Sequence, residues 1–279
     1  MINDKVKALQ DIPDLTSFVD ELLEISDDMT QQAKFSGYDH LALMSLCFVS
    51  KQIEHLRSIR ILVDAKQYRD AGLIARSMIE GLCVLLWAAN KPQIRPLHWK
   101  AYAWVDDYKL MLKKEKAGEE VNPSDRSRII EQLGIYGSEF LTPKAKKRQD
   151  NQLPLPLDPY RNRWIDQNVY EICKEVEGDL LYEKIYRETS QWIHWTVKGM
   201  SRAIHLKDME FSYINTSADI GATALASGFQ CLFESAKLLD FHLKLGFGEK
   251  LDGISSKYTN FHKKIASSIA PGEEDPKDA

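Results

Sequence analysis

The stretch YRDAGLIARSMIEGLCVLLWAAN, Tyr68 to Asn90, is an apolar segment of helical length that ends before Lys91 and Pro92. The stretch before it, DHLALMSLCFVSKQIEHLRSIRILVDA, has the apolar spacing of an amphipathic helix from Leu41 to Val63, with Asp39 as the predicted N-cap. Because the connection between the two segments is short, they are predicted to form an antiparallel helical hairpin. This hairpin favours an all-α fold.

Helical patterns continue on both sides of the hairpin, and we find no alternating strand pattern of useful length and no fixed-period repeat. The sequence therefore predicts a single multi-helix, bundle-like domain over residues 1–270, followed by a disordered polar tail over residues 271–279. The further predicted helices are Leu15–Phe35, Leu97–Gly118, a helix capped by Asn122 and ended by Gly134, Ile165–Val176, Gly178–Ile204 and Ser217–Gly246. The small residues of the last of these are predicted to allow the close approach of neighbouring helices.

One stretch departs from the helical pattern. TPKAKKRQDNQLPLPLDPYRNRW, Thr142 to Trp164, contains four prolines and six Lys or Arg residues, and it predicts a basic, extended loop within an excursion at about residues 138–163. Its cations suit nucleic-acid phosphates, whereas a merely solvated loop is the alternative. The residues predicted to contact nucleic acid are Lys144, Lys146, Lys147, Arg148, Arg161 and Arg163.

Composition excludes several classes of protein. The formal net charge of -4 gives no global basic field, and the four cysteines are scattered without the spacing of a zinc site. The longest apolar run, Leu82 to Ala89, is shorter than the about 20 residues that span a bilayer, and the N-terminus lacks an apolar signal core. The sequence thus predicts a cytoplasmic protein with no membrane anchor, metal or cofactor.

Two predicted helices carry polar residues that suit chemistry. Arg76 and Glu80 are four residues apart in an otherwise apolar helix, so they share a face and are expected to pair. In the stretch YRETSQWIHW, Tyr186 to Trp195, seven residues return nearly to the starting face of a helix. If the two helices pack together, their polar side chains form one cluster. The residues predicted to line this side of the second helix are Glu183, Arg187, Ser190 and His194.

The two stretches DAGLIARSMIEGLCVLLW and YEKIYRETSQWIHWTVKGM resemble the two signature helices of a bacterial family catalogued as domain of unknown function 5677. The first shows Arg-x-x-x-Glu, and the second shows Tyr, Arg and Ser, with a His four residues after the Ser. The resemblance covers roughly Leu41 to Leu206. It implies an all-α cytosolic protein and supplies no activity.

The Arg, six residues, His spacing is also similar to the motif of HEPN helical domains, many of which are metal-independent RNases of toxin and phage-defence systems. The resemblance implies that His194 is the acid/base and Arg187 binds phosphate. We expect Ser190 to give hydrogen-bonding support and the Arg76–Glu80 pair to support the site from behind these two residues. The chemistry needs a group that titrates near neutral pH and a fixed cation beside one phosphate. The resemblance further implies RNA as the ligand, a homodimer, and a protein partner such as an antitoxin.

Each of these residues has a simpler structural interpretation. His194 is flanked by Trp192, Ile193 and Trp195, which is typical of a core histidine with satisfied hydrogen bonds. Arg76 and Glu80 suit a structural ion pair equally well. The alternative hypothesis is therefore a non-catalytic helical interaction or scaffold protein in which the same residues form a buried network.

Overall fold

The computed structural model describes residues 2–178, 182–187, 204–207, 210–213 and 218–267, with the side chains of residues 11–178 described throughout. Helices dominate this part of the chain, so the predicted all-α class is confirmed. The helices are α1 (Ile2–Gln32), α2 (His40–Asp64), α3 (Tyr68–Ala89), α4 (Arg95–Ala101), α5 (Ala103–Lys116), α6 (Pro123–Tyr136), α7 (Pro143–Asp150), α8 (Val169–Glu175), α9 (Ala218–Leu243) and α10 (Gly248–Ser267). Shorter elements are a 3₁₀ turn (Gly137–Phe140), a π-helical segment (Tyr182–Tyr186), β1 (Ile204–Lys207) and β2 (Glu210–Tyr213).

The described chain divides into two compact units. The first unit contains Met1–Lys34, Leu46–Leu82 and Leu180–Ala279, and the second contains Phe35–Ser45 and Cys83–Asp179. Helices α2 and α3 each contribute residues to both units. The single domain over residues 1–270 stays a prediction, and the tail predicted over residues 271–279 lies outside the described residues.

The predicted α2–α3 hairpin is present. Asp39 caps α2 as predicted, because its Oδ1 accepts a hydrogen bond of 2.9 Å from the Ala42 amide. Lys66, with φ at 59°, turns the chain between the helices. The Gln52 side-chain amide of α2 donates to the Met78 carbonyl of α3 at 2.9 Å, and the two residues lie at similar distances from the turn, as an antiparallel hairpin requires.

Small residues let α9 pack closely within the first unit, as its sequence predicts. A Cβ at Gly221 would overlap the Tyr68 ring, and a Cβ at Gly228 would lie 2.7 Å from the Leu56 Cδ1. Helix α9 packs most extensively against α1, and its buried face includes the fully buried Leu225 and Leu232. Its length agrees with the predicted Ser217–Gly246 helix.

Several predicted boundaries are wrong. The predicted Leu97–Gly118 helix is two helices, α4 and α5, because an i to i+3 hydrogen bond from the Val105 amide to the Tyr102 carbonyl interrupts the α-helical ladder. Gly118, with φ at 75°, follows α5 as predicted. Asn122 caps α6 as predicted, but the helix continues through Gly134 to Tyr136, since nothing there requires a left-handed backbone.

Two helices and two strands were not predicted. Helix α7 lies inside the predicted extended loop; Thr142 caps it and Pro143 occupies its first turn, where the missing amide proton costs nothing. Helix α10 follows the last predicted helix. Strands β1 and β2 pair antiparallel, Ile204 with Tyr213 and Lys207 with Glu210, and four residues each are too short for the alternation to be recognised in the sequence.

Past α7, residues 151–168 form no helix, in keeping with the predicted excursion. Side chains nevertheless fix this segment within the second unit. The Tyr108 hydroxyl donates to the Leu157 carbonyl at 2.8 Å, and the Arg148 Nε donates to the Pro154 carbonyl at 2.7 Å. An isolated antiparallel bridge joins Leu141 to Tyr160. The proline-rich segment is therefore an ordered surface of the unit.

The core of the second unit forms where α4, α5, α6 and the 3₁₀ turn contribute apolar side chains. Phe140 is fully buried and meets the Tyr102 ring edge-to-face, with centroids 5.4 Å apart. The buried members of this core are Ala101, Tyr102, Val105, Met111, Ile129, Leu133 and Phe140.

Helix α3 is long and apolar enough to cross a membrane by length and composition alone. In this structure 56% of its most apolar window is buried within the protein, as is common for the central helix of a helical fold.

Candidate functional site

Arg76 and Glu80 of α3 share a face, as predicted, but Tyr186 of the π-helical segment lies between them. The Arg76 Nη2 donates to the Tyr186 hydroxyl at 2.9 Å, and that hydroxyl donates to the Glu80 Oε2 at 3.4 Å. All three residues belong to the first unit. The pair predicted to be a direct ion pair is therefore bridged by a tyrosine hydroxyl.

The tyrosine ring adds a second contact with the same cation. The Arg76 Cζ lies 4.5 Å from the centroid of the Tyr186 ring, within the range of a cation–π interaction. Tyr182 stacks on Tyr186 with centroids 5.0 Å apart and ring planes 20° from parallel. The π-helical segment thus places two aromatic rings over the arginine of α3.

Burial changes the acid–base properties of this cluster. Tyr186 is 7% exposed, and burial together with the nearby Glu80 carboxylate raises its pKa, although Arg76 opposes the shift. The Tyr186 hydroxyl therefore stays protonated around neutral pH and can donate to Glu80. The Arg76 Nε is buried without a hydrogen-bond partner among the described residues, so the guanidinium keeps an unused donor.

Arg187 follows the π-helical segment and faces solvent. Its side chain is 68% exposed, and its Nη1 donates to the Glu183 Oε2 at 3.0 Å, one turn earlier. An exposed pair of this kind contributes only about 0–1 kcal/mol, so an incoming anion can replace the carboxylate at small cost. The guanidinium offers five N–H donors in a planar fork that suits bidentate binding of phosphate.

The predicted second helix is described only in part. Tyr182–Tyr186 is π-helical, whereas an α-helix was predicted there. Arg187 is described, whereas Ser190 and His194 lie outside the described residues. The structure therefore brings Arg76, Glu80 and Tyr186 together and leaves the Arg187–His194 pairing as a prediction.

The predicted nucleic-acid contacts of the second unit fall into two groups. Lys144, Lys146 and Lys147 lie exposed on α7, where no part of the described chain hides them. Arg148 is half-buried, and its Nε already donates a hydrogen bond to the Pro154 carbonyl. Three exposed lysines on one short helix form a local basic surface.

Arg161 and Arg163 are largely used within the protein. The Arg161 side chain is 18% exposed, pairs with Asp166 and donates to the Trp164 carbonyl at 3.0 Å. Arg163 is exposed and donates to the Asp166 carbonyl at 3.3 Å. Of the two, Arg163 is the better placed for an external phosphate.

Arg95, Trp87 and Glu175 form another polar cluster, which lies in the second unit and was not predicted from the sequence. Arg95 is 8% exposed; its Cζ sits 3.6 Å from the Trp87 ring centroid, and its Nη2 donates to the Glu175 Oε1 at 2.7 Å. The Trp87 Nε1 donates to the other carboxylate oxygen at 2.8 Å. No short motif connects these residues, because Trp87 and Glu175 are 88 positions apart.

The surroundings of Glu175 favour its ionised form. Burial alone would raise its pKa, but hydrogen bonds from Arg95 and Trp87 and the positive charges of Arg95 and Lys91 lower it overall. Both carboxylate oxygens accept hydrogen bonds from within the unit, and Gln167 approaches one of them at 3.5 Å. The network joins Trp87 of α3, Arg95 of α4 and Glu175 of α8, so we assign it a structural role.

Within the described residues no group of three or more His, Cys, Asp or Glu side chains is arranged to hold a metal ion. A family model described as Family of unknown function (DUF5677) matches residues 42–211, more than half of the chain. This match includes Arg76, Glu80, Glu183 and Arg187. No curated protein and no solved structure matches the chain at a significant level.

Proposed function

The chain belongs to the family of unknown function DUF5677, and we propose that it binds RNA and cleaves it without a metal ion at Arg187 and His194. The single observation that carries this proposal is the exposure of the Arg187 guanidinium directly after a π-helical segment. Short π-helical segments inside helices are rare and frequently mark functional sites.

The proposed site uses Arg187 for the phosphate and His194 for the proton. Arg187 donates two hydrogen bonds to the non-bridging oxygens of one phosphate and stabilises the charge that develops there. His194 accepts the 2′-hydroxyl proton or returns a proton to the departing 5′ oxygen, because an imidazole can gain and lose a proton near neutral pH. Attack by the 2′ oxygen on phosphorus leaves a 2′,3′-cyclic phosphate and a 5′-hydroxyl as products.

The cluster of Arg76, Tyr186 and Glu80 holds the backbone beside Arg187 in place. Arg76 holds the Tyr186 ring and hydroxyl, and Tyr186 directly precedes Arg187, so the cluster fixes the backbone from which Arg187 projects. Side chains that hold a functional residue in place reduce the entropy lost on binding. We assign Arg76 and Glu80 this positioning role, and Ser190 a supporting hydrogen bond to the phosphate or to His194.

We propose that the second unit makes an RNA contact of its own. Lys144, Lys146, Lys147 and Arg163 are exposed and contribute salt-dependent attraction to the phosphate backbone. Arg148 and Arg161 act mainly by holding the segment in shape. The proposal further includes a homodimer, a protein partner that restrains the activity in the manner of an antitoxin, and a cytoplasmic location.

A specific observation also favours a second candidate function, a non-catalytic helical interaction module. Tyr186 bridges Arg76 and Glu80, and Arg95 pairs directly with Glu175 beside Trp87, so both clusters serve the protein's own packing. In such a module Arg187 is simply a surface residue of an exposed pair. The two functions differ in what happens when Arg187 or His194 is removed.

An RNA-degradation assay tests the proposal. Wild-type protein is incubated with total RNA in EDTA beside His194→Ala and Arg187→Ala, and the products are analysed for 2′,3′-cyclic phosphate ends. We expect wild-type cleavage in EDTA and a loss of about 100-fold or more in both variants, the usual contribution of an acid/base or a charge-stabilising donor.

Arg128→Ala is the matched control. Arg128 is an exposed arginine, 62% accessible, that pairs with a carboxylate of its own helix, as Arg187 does. Its loss removes the same charge and the same kind of pair, and we expect cleavage to be unchanged. Intact RNA with the wild-type protein, or equal cleavage by His194→Ala, would rule out the nuclease and leave the interaction module.

A further inference from the structure

Cys83 and Cys173 lie against each other inside the second unit. Their Sγ atoms are 2.9 Å apart although the residues are 90 positions apart in sequence, and their exposed fractions are 1% and 0%. A disulfide bond measures about 2.05 Å, so the two sulfurs are within roughly 0.9 Å of bonding distance. The four cysteines are scattered along the sequence, whose spacing does not predict this pair.

Two contacts hold the elements around the sulfurs in place. A Cβ at Gly178 would lie 3.3 Å from the Cys83 Sγ and 3.3 Å from the Cys173 carbonyl, so the glycine backbone packs tightly against the pair. The same two elements are also joined close by, because Trp87 of α3 donates to Glu175 of α8. The elements that carry the sulfurs are therefore held in register by an independent contact.

We propose that Cys83 and Cys173 form a redox-active pair that is oxidised by peroxide to an intramolecular disulfide. The other two cysteines do not share this geometry. Cys47 is exposed, and Cys231 is buried in α9 of the first unit. The inference is independent of the proposed RNA chemistry, since it uses none of the residues assigned to that site.

The oxidation is balanced with hydrogen peroxide as the oxidant. The thiolate of one cysteine attacks a peroxide oxygen, which releases hydroxide and leaves a sulfenic acid on that sulfur. The second thiol then attacks the sulfenic sulfur, and the S–S bond forms as water leaves. The two thiols lose two electrons and two protons in total, and one peroxide becomes two water molecules.

The crosslink would close the chain segment that lies between the two cysteines. That segment contains α4 to α7 and the proline-rich residues 151–168, and with them all six residues predicted to contact nucleic acid. Closing a loop of this length restricts the unfolded chain strongly, so the disulfide is expected to stabilise the unit against unfolding. Oxidation would thereby hold the basic surface in place under conditions in which the reduced protein opens.

Intact-mass spectrometry and limited proteolysis test the proposal in the Cys47→Ser variant, which removes the exposed thiol. After treatment with hydrogen peroxide and alkylation of the remaining thiols, we expect the loss of two hydrogen masses and a crosslinked peptide pair containing Cys83 and Cys173. A protease cut within residues 151–168 should leave one species on a non-reducing gel and two after reduction. The melting temperature should rise by about 5–10 °C and return on reduction.

Two further variants make the result decisive. Cys231→Ala, in the same background, should keep the crosslink, whereas Cys173→Ala should abolish it. Because the mass measurement is made on protein with both cysteines present, a folding defect in Cys173→Ala does not affect the main result. Alkylation of both thiols after peroxide treatment, or a crosslink that includes Cys231, would overturn the proposal.

Discussion

Replacing Tyr186 by Phe should separate the two contacts that this residue makes with Arg76. The substitution removes the hydroxyl that accepts from the Arg76 Nη2 at 2.9 Å and keeps the ring that lies 4.5 Å from the Arg76 Cζ. A hydrogen bond to a charged group contributes about 1.5–3 kcal/mol. The contact with Glu80, at 3.4 Å, is long and adds little. We therefore expect the free energy of unfolding to fall by about 2 kcal/mol.

Urea unfolding, monitored by circular dichroism, measures this loss. It appears as a lower urea concentration at the unfolding midpoint, with the dependence of the unfolding free energy on urea unchanged. Tyr38→Phe is the control, because Tyr38 is 91% exposed and its hydroxyl deletion should change stability by less than about 0.5 kcal/mol. Tyr186→Ala should cost more than Tyr186→Phe, since it also removes the buried ring and its cation–π contact. A change in Tyr186→Phe no larger than in Tyr38→Phe would refute the role assigned to the hydroxyl.

The same residue predicts a response to alkaline pH. Burial and the Glu80 carboxylate raise the pKa of Tyr186 above its ordinary value of about 10, so the folded protein holds this proton more tightly than the unfolded chain. Its contribution is complete below pH of about 10 and is lost as the pH rises through the higher folded pKa. Stability of wild type should fall over this range more steeply than that of Tyr186→Phe; parallel curves would contradict the assignment.

Three further substitutions test the packing of the two units, two of them in the first unit and one in the second. Gly221→Ala should lower the free energy of unfolding by about 1–3 kcal/mol, because the new methyl overlaps the Tyr68 ring, whereas Gly253→Ala, in open space on α10, should raise it by about 0.5–1 kcal/mol. Urea midpoints measure both, and equal effects would contradict the close packing of α9. Glu175→Ala should cost about 2–3 kcal/mol because Arg95 remains buried without its carboxylate. If Glu175→Ala lowered the melting temperature by no more than an ordinary surface substitution does, the network would contribute little to stability.

The predictions that succeeded rest on local chemistry. Asp39 and Asn122 were recognised as caps because a side chain that accepts from an amide two or three residues on leaves a sequence signature. The small residues of α9 predicted close packing for a similar reason, since only glycine fits where Tyr68 approaches. The all-α class followed from apolar spacing summed over many turns, which is the strongest signal in a sequence.

The predictions failed where the structure depends on a balance of weak local preferences or on contacts between residues far apart in sequence. Gly134 does not end α6, because a glycine with helical φ is tolerated when tertiary packing continues the helix. Helix α7 was missed because four prolines nearby outweighed the cap at Thr142. The bridge from Arg76 through Tyr186 joins positions 110 apart and depends on a π-helical turn, which no spacing rule anticipates.

The Cys83–Cys173 pair and the Trp87–Glu175 hydrogen bond show the same limit. Both contacts join α3 to α8 across about 90 positions, and the identity of one residue does not indicate which distant residue it contacts. Only the fold reveals that the four residues lie together.

The salt dependence of RNA binding tests the central claim, that Arg187 binds a phosphate, most directly. Anisotropy of a fluorescein-labelled single-stranded RNA is titrated over a range of salt concentrations with wild type, Arg187→Ala and Arg128→Ala. We predict that Arg187→Ala binds more weakly and that the slope of log K against log salt decreases by about 1 relative to wild type and Arg128→Ala. Identical affinity and slope for all three proteins, or no binding by the wild type, would contradict the claim.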